Sequence, residues 1–375
     1  MFIEMYFVFC YYRIITDYYE VSVLKLFKKS LCLFLSVILI MGCCTLLVSA
    51  AGRKAALPVS AGIEALRDEF QIDYAPEAGG YALDYAYYSP KGSDDNTKYP
   101  LVIFLHGIGH ADYVGAQLDD SDFPYWASAE LQSRFSEGGA YILLPRAPEH
   151  KLVYWSKTLL EPLRAVIDDM IAKHGDNIDT TKIFIGGSSA GAEMTWDMII
   201  SYPEYFAGAF PIAATGTVSA ADTKKCADVA IWMIASSKDP VISYSATTTP
   251  LWNNVCKNNN NPGDCRLTTI GSVKEPAGTG ASDNHHMAKV VTFDMHMMDG
   301  SKYYDSETKD GNGNILNLTS PDGMIYWMNS VQSSYEGDVT DGSGNIDVNI
   351  FTNIFDAIRN FFLKIVNMFQ RLFGL

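Results

Sequence analysis

A chain of 375 residues with 48% hydrophobic and 19% charged side chains can bury a substantial core, and it suits one large α/β domain with appendages better than two equal domains. Its 43 acidic and 28 basic residues leave a net charge of −15, which repels phosphate backbones and argues against nucleic acid as a partner. In chain order, Lys25, Lys28 and Lys29 precede an apolar run from Leu31 to Val48 that ends in Val48-Ser49-Ala50 before Ala51. A basic region, an apolar stretch and a small-residue site form a targeting signal, so residues 1–50 are expected to be a signal peptide or an uncleaved N-terminal anchor. Met41 and the apolar Thr45-Leu46-Leu47-Val48 argue against lipid attachment at Cys43. The expected location is secreted or cell-envelope associated. Residues 51–80 read as a polar N-terminal extension.

Residues 81–333 carry the pattern of a catalytic domain. Tyr81 to Tyr88 alternates aromatic and small residues as a strand does, and Lys91 to Lys98 is turn-rich. Continuous apolar strands follow at Pro100 to Leu105, Ala140 to Leu144, Lys182 to Ile185, Phe210 to Ala213 and Val229 to Ala235, with helical stretches such as Leu159 to Lys173 between them. Fully apolar strands alternating with helices predict an α/β fold with a mostly parallel central sheet covered on both faces. Cys226, Cys256 and Cys265 lie outside the targeting segment. Cys256 and Cys265 bracket a polar loop that a disulfide would close, adding on the order of 2–3 kcal/mol, and two free thiols are the other reading. Asp310-Gly311-Asn312-Gly313-Asn314 and its echo from Asp341 lack the sixth-position glycine and the closing Glu of a calcium loop, so they read as turns. Asn317-Leu318-Thr319 is a sequon or a plain loop. The Gly, Asp and Ser content of residues 334–347 marks a linker. Beyond it, residues 348–375 place Phe351, Ile354, Phe355, Ile358, Phe362 and Ile365 on one face of an amphipathic helix. That helix either docks on the domain or makes a membrane-surface or self-association contact.

The chemistry centres on Gly187-Ser188-Ser189-Ala190-Gly191, which follows the apolar Lys182-Ile183-Phe184-Ile185. A strand that turns sharply into a helix needs small residues around a nucleophile, so that its hydroxyl stands clear of the turn. Only Ser189 has glycine at both required offsets, and the residues after it read as a buried helix. A serine nucleophile needs a general base, and the base needs an acid to fix its tautomer. Asp239 lies in a loop just after the strand Val229 to Ala235, where sites form in open α/β sheets. The histidines after it are His285, His286 and His296. Asp283-Asn284-His285-His286 follows a Gly-rich loop, which favours His285 as base, with His286 and His296 as alternatives. Neither an H-E-x-x-H motif nor a Cys pair supports a metal site. The developing oxyanion needs N–H donors, for which the backbones of Ile108, in His106-Gly107-Ile108-Gly109, and Ala190 are the candidates. His106 precedes the nucleophile and falls in the wrong order to be the base. Trp126 and Trp155 are pocket-wall or packing residues by position.

Pro100 to Gly109, Phe123 to Ala127, Gly138 to Arg146 and Lys182 to Ala213 together resemble the secreted α/β-hydrolase esterases of the polyhydroxybutyrate depolymerase and feruloyl esterase type. The likeness covers about Tyr81 to Ser330. In that family the acid follows an apolar strand, matched here by Ala235-Ser-Ser-Lys-Asp239-Pro-Val-Ile. The family's histidine usually sits in G-H-x-x-W, whereas this chain has Asn284-His285-His286-Met287-Ala288, lacking both the Gly and the Trp. The resemblance implies the α/β-hydrolase fold and hydrolysis of small-molecule or polymeric carboxylic esters through a covalent acyl-enzyme, without a cofactor. A serine peptidase of the prolyl-oligopeptidase type and a non-catalytic surface-binding protein on the same scaffold are the competing readings.

Overall fold

The computed structural model describes residues 66–92, 97–109, 111–119, 123–148, 155–214, 218–273, 286, 304–316 and 323–333. The strands in chain order are β1 (Gln71–Tyr74), β2 (Asp84–Tyr88), β3 (Tyr99–Leu105), β4 (Tyr141–Pro145) and β5 (Ile178–Ser188). They continue with β6 (Gly208–Ile212), β7 (Ala230–Ser236), β8 (Arg266–Val273), β9 (Tyr304–Asp310) and β10 (Ile315–Leu316). All ten form one sheet in the order β1-β2-β4-β3-β5-β6-β7-β8-β9-β10. The stretch β4-β3-β5-β6-β7-β8 is parallel, while β2 runs against β4 and β9 against β8.

The parallel centre follows from composition. Every residue of β3, β4, β6 and β7 is buried, as strands with helices on both faces must be. Successive side chains alternate between the faces. Val102, Phe104, Ile142, Leu144, Phe184, Phe210 and Trp232 form one apolar cluster with Phe123, Trp126 and the helix Met324–Ser330. Leu101, Ile103, Leu105, Ile183 and Ile185, at the intervening positions, are fully buried as well. Each of these large side chains contributes about 1.5–3 kcal/mol by leaving water. The helices among the described residues are α1 (Ala129–Gln132), α2 (Leu160–His174), α3 (Ala190–Ser201), α4 (Ala220–Lys225), α5 (Thr249–Asn258) and α6 (Met324–Ser330). α3 packs against β5, β6 and β3.

The expected strands and the helices at Leu159 to Lys173 and after Ser189 form within a few residues of their anticipated bounds. The sheet also extends into the stretch expected to be an N-terminal extension. There β1 pairs with β2 from Gln71↔Tyr87 to Tyr74↔Asp84. Three C-terminal strands, β8 to β10, carried no apolar run to announce them. β9 (YDSETKD) is held instead by its ladder with β8 and by the buried contact of Thr268 and Thr308, whose hydroxyls lie 2.7 Å apart. The Asp310 turn is as anticipated, since Oδ1 of Asp310 accepts the N–H groups of Asn312 and Asn314 at 3.0 and 2.8 Å. Trp126 is a core residue, packed at 6.4 Å between ring centroids against Phe210, rather than a pocket wall.

The expected targeting segment, the linker 334–347, the helix 348–375, the sequon at Asn317, His285 and His296 lie outside the described residues. No helix among the described residues is long and apolar enough to cross a membrane.

The disulfide between Cys256 and Cys265 is not formed. Cys226 and Cys265 are buried free thiols and Cys256 a half-buried one. Burial pushes the thiols of Cys226 and Cys265 up to about 12, so neither is thiolate at neutral pH. Alkylation of unreduced, denatured protein followed by peptide mass mapping should modify all three cysteines, and a recovered Cys256–Cys265 linked peptide would contradict the free-thiol arrangement.

Candidate active site

The sheet's connections decide where a site forms. From β3 the chain passes to β4 on one side, and from β5 to β6 on the other, so a crevice opens between the C-terminal ends of β3 and β5. Ser189 stands there, between β5 and α3, with φ 54° and ψ −116°. A positive φ is uncommon for a residue with a Cβ and stores about 1–3 kcal/mol of strain. What holds it is visible on every side. The Ser189 N–H donates to the carbonyl of Ile212 at the end of β6 at 2.9 Å. A Cβ on Gly191 would lie 2.1 Å from the carbonyl oxygen of Leu105, and one on Gly187 would lie 2.6 Å from the carbonyl of Gly191. Both glycines are therefore demanded by the close approach of α3 to β3, which is the physical content of the G-x-S-x-G spacing.

The imidazole next to Ser189 is that of His286. Its Nδ1 lies 2.8 Å from Oδ2 of Asp239 and its Nε2 lies 3.0 Å from Oγ of Ser189. A carboxylate can only accept, so Nδ1–H donates to Asp239 and Nε2 is left with its lone pair toward the serine hydroxyl. His286 is the alternative base from the sequence; His285, the residue favoured there, lies outside the described residues. Two adjacent histidines of identical chemistry carry no local sequence signal that separates them. The departure from G-H-x-x-W had removed the one local marker.

Asp239 is fixed independently of the histidine. Its Oδ1 accepts the N–H groups of Val241 and Ile242 at 2.7 and 2.9 Å. The loop before it is tied to β8, with Ser237 N–H donating to Ile270 O at 2.9 Å. The Asp239 side chain is 2% exposed and that of His286 17%. Burial pulls the Asp239 carboxyl up, but the hydrogen bonds from His286 and from the Ile242 and Val241 N–H groups pull it further down, leaving it below the ordinary aspartate range.

The two expected oxyanion donors flank the serine. Ala190 opens α3, and the N–H groups of a helix's first turn have no intrahelical acceptor. On the other side, a Cβ on Gly107 would be 3.7 Å from Cβ of Ser189, which brings the 106–109 loop directly beside that serine, and Ile108 is exposed. His106, fully buried, holds that loop rather than acting as a base. Its Nε2 accepts the Ala147 N–H at 3.1 Å, its Nδ1–H donates to Gly107 O at 2.6 Å, and its own carbonyl accepts from Trp155 Nε1 at 2.9 Å. Trp155 is thus a clamp on the loop. Among the described residues no group of three His, Cys, Asp or Glu side chains is arranged to hold a metal ion.

No family model matches this chain. A solved thermostable esterase matches with a TM-score of 0.50 and 26% identity, covering 61% of this chain and 60% of its own. The chain has the α/β-hydrolase fold. Est1E from Butyrivibrio proteoclasticus matches at a TM-score of 0.41 and 17% identity, over 60% of this chain and 97% of its own. In sequence, 51 residues are 45% identical to Poly(3-hydroxyalkanoate) depolymerase C of Paucimonas lemoignei, a stretch that is 14% of this chain and 12% of that protein. The α/β-hydrolase chain therefore spans only part of both the depolymerase and the thermostable esterase.

The lowered Asp239 pKa links stability to acid. A carboxyl depressed in the folded state contributes stability that is present above its unfolded value, about 3.9, and is lost as pH falls through the folded value. The melting-temperature gap between the wild type and Asp239→Asn should therefore be full at pH 7 and close as the pH drops below about 4. A gap that persists unchanged to pH 3 would show that the carboxylate's charge is not what the site stabilises.

Proposed function

We propose that this α/β-hydrolase is a serine carboxylesterase. The observation that carries the reading is the unbroken hydrogen-bonded line from Ser189 through His286 to Asp239, set on a strained turn. The similarity to a solved esterase and the short identity to a poly(3-hydroxyalkanoate) depolymerase support esters as the substrate class. Polyester, feruloyl and acetyl esters are the types this reading covers. The connected line of groups weighs against a non-catalytic binding protein, because binding alone needs no such alignment.

In this mechanism Ser189 Oγ bonds to the acyl carbon as its proton passes to His286 Nε2 and the carbonyl electron pair moves onto oxygen. Ile108 and Ala190 N–H groups receive that oxyanion. Asp239 keeps Nδ1–H in place and balances the imidazolium. Collapse of the tetrahedral species breaks the bond to the alcohol oxygen, which leaves with the proton from Nε2. A water molecule then gives its proton to His286 and attacks the acyl-enzyme, and the second collapse releases the acid and restores the Ser189 hydroxyl. No further reactant is consumed. An extracytoplasmic location, and a membrane-surface or self-association role for residues 348–375, belong to the same proposal and rest on the sequence pattern.

Hydrolysis of p-nitrophenyl acetate and butyrate tests the reading. Ser189→Ala and His286→Ala should each lower kcat by at least about a thousandfold, while His285→Ala stays within a few-fold of wild type. Full activity in Ser189→Ala, or a loss confined to His285→Ala, would overturn it.

A further inference from the structure

The loop that presents Ile108 is anchored at both ends by one short stretch of chain, the residues that follow β4. At its start, His106 is held by the Ala147 N–H and by Trp155 Nε1. At its far end, the carbonyl of Ala111, a fully buried residue, accepts from Nη1 of Arg146 at 2.6 Å. The rest of the Arg146 guanidinium is committed to Asp84 at the start of β2. Nε lies 3.0 and 2.9 Å from the two carboxylate oxygens and Nη2 lies 2.5 Å from Oδ1. The backbones are joined too, with Arg146 N–H donating to Asp84 O at 3.0 Å. The arginine side chain is 13% exposed and the aspartate 5%.

A buried ion pair is weak as a source of stability, because removing both charges from water offsets most of their attraction. Its geometry is informative instead. A planar guanidinium gripped on one edge by a carboxylate has a fixed direction for its remaining N–H groups, which an ammonium does not provide. Here one of those N–H groups is aimed at the Ala111 carbonyl, three residues from the oxyanion donor. An oxyanion donor works only if its N–H already points at the site where charge develops, so fixing this loop bears on the transition state more than on substrate binding.

We infer that Arg146, oriented by Asp84, is a positioning residue that fixes the 106–111 loop so that the Ile108 N–H is aimed at the oxyanion. This rests on the serine esterase reading. Arg146→Lys keeps the charge near Asp84 but cannot grip the carboxylate and reach Ala111 at once. Lys182→Met, which breaks the partly buried pair Lys182–Glu137 (2.5 Å), is the control, about 20 Å away along β5 from Ser189.

In the full-length chain, Arg146→Lys should lower kcat at least about tenfold with KM within twofold, and slow fluorophosphonate labelling of Ser189 in proportion. It should also speed amide hydrogen exchange across 106–111. Lys182→Met should change melting temperature without changing kcat or that exchange. If Arg146→Lys does not fold, Asp84→Leu/Arg146→Met, which replaces the pair with apolar side chains, is read in the same way. Wild-type kcat in the folded Arg146 variant, or equal losses in both ion-pair variants, would overturn the inference alone. Absence of both turnover and labelling in the wild type would instead overturn the esterase reading, and the inference with it.

Discussion

The close approach of α3 to the C-terminal end of β3 is the constraint on which the rest depends. Gly191 lets the helix backbone meet the carbonyls of Leu105 and His106, and Gly187 lets β5 pass beneath the first turn of α3. The strand must then reverse into the helix within one residue, and Ser189 takes the positive φ that this requires. The strain of about 1–3 kcal/mol is carried by a sheet whose central strands are buried on both faces. A neighbouring residue shares the condition, since Ala213 at the end of β6 also has a positive φ, of 51°. Its N–H donates to Ile234 O at 2.8 Å, as that of Ser189 does to Ile212 O. Each strand end is thus pinned by the next strand in the sheet, and Ser189 inherits its place from the ladder.

Beside that fixed serine, the carboxylate of Asp239 is oriented by backbone groups independent of His286. Asp239 is held by the N–H groups of Val241 and Ile242, whether or not His286 is charged. The carboxylate therefore need not reorient when the imidazole takes a proton. The pairing it keeps is the one that stabilises an imidazolium, and its depressed pKa means it stays ionised through the neutral range. His286, in turn, has Nδ1–H committed to Asp239, so only Nε2 is left to face Ser189.

The sequence was legible where a residue's role is local. Gly187, Ser189 and Gly191 declare a turn by their spacing, and the apolar runs from Leu101 to Ala235 declare a parallel sheet because burial on both faces leaves no room for polar residues. Asp239 could be read from its position just past a strand end. The histidine could not, because His285 and His286 are chemically identical neighbours, and His286 is known only by its ring's contacts with Asp239 and Ser189. β9 was illegible for a related reason. Its residues are mostly polar, and it is a strand because β8 offers it a ladder and a threonine partner, which are properties of the neighbour and not of the segment. Cys256 and Cys265 suggested a staple by spacing alone, yet spacing says nothing of whether two thiols in a buried corner are aimed at one another.

The two residues proposed as oxyanion donors differ in how they are held, and the difference follows from what each is attached to. Ala190 belongs to α3, whose backbone hydrogen bonds and packing on β5 and β6 fix the direction of its N–H without any side chain. Ile108 lies in a loop rich in glycine, with no ladder of its own, so its direction has to be imposed from outside. The Ala147 N–H, which donates to the His106 imidazole, the indole of Trp155 and the guanidinium of Arg146 reach it from the neighbouring strand connection. All three donors belong to planar groups, and planar groups transmit direction better than flexible ones do. A helix terminus supplies a donor for the cost of one strained residue, whereas a loop needs a scaffold of buried polar contacts to do the same.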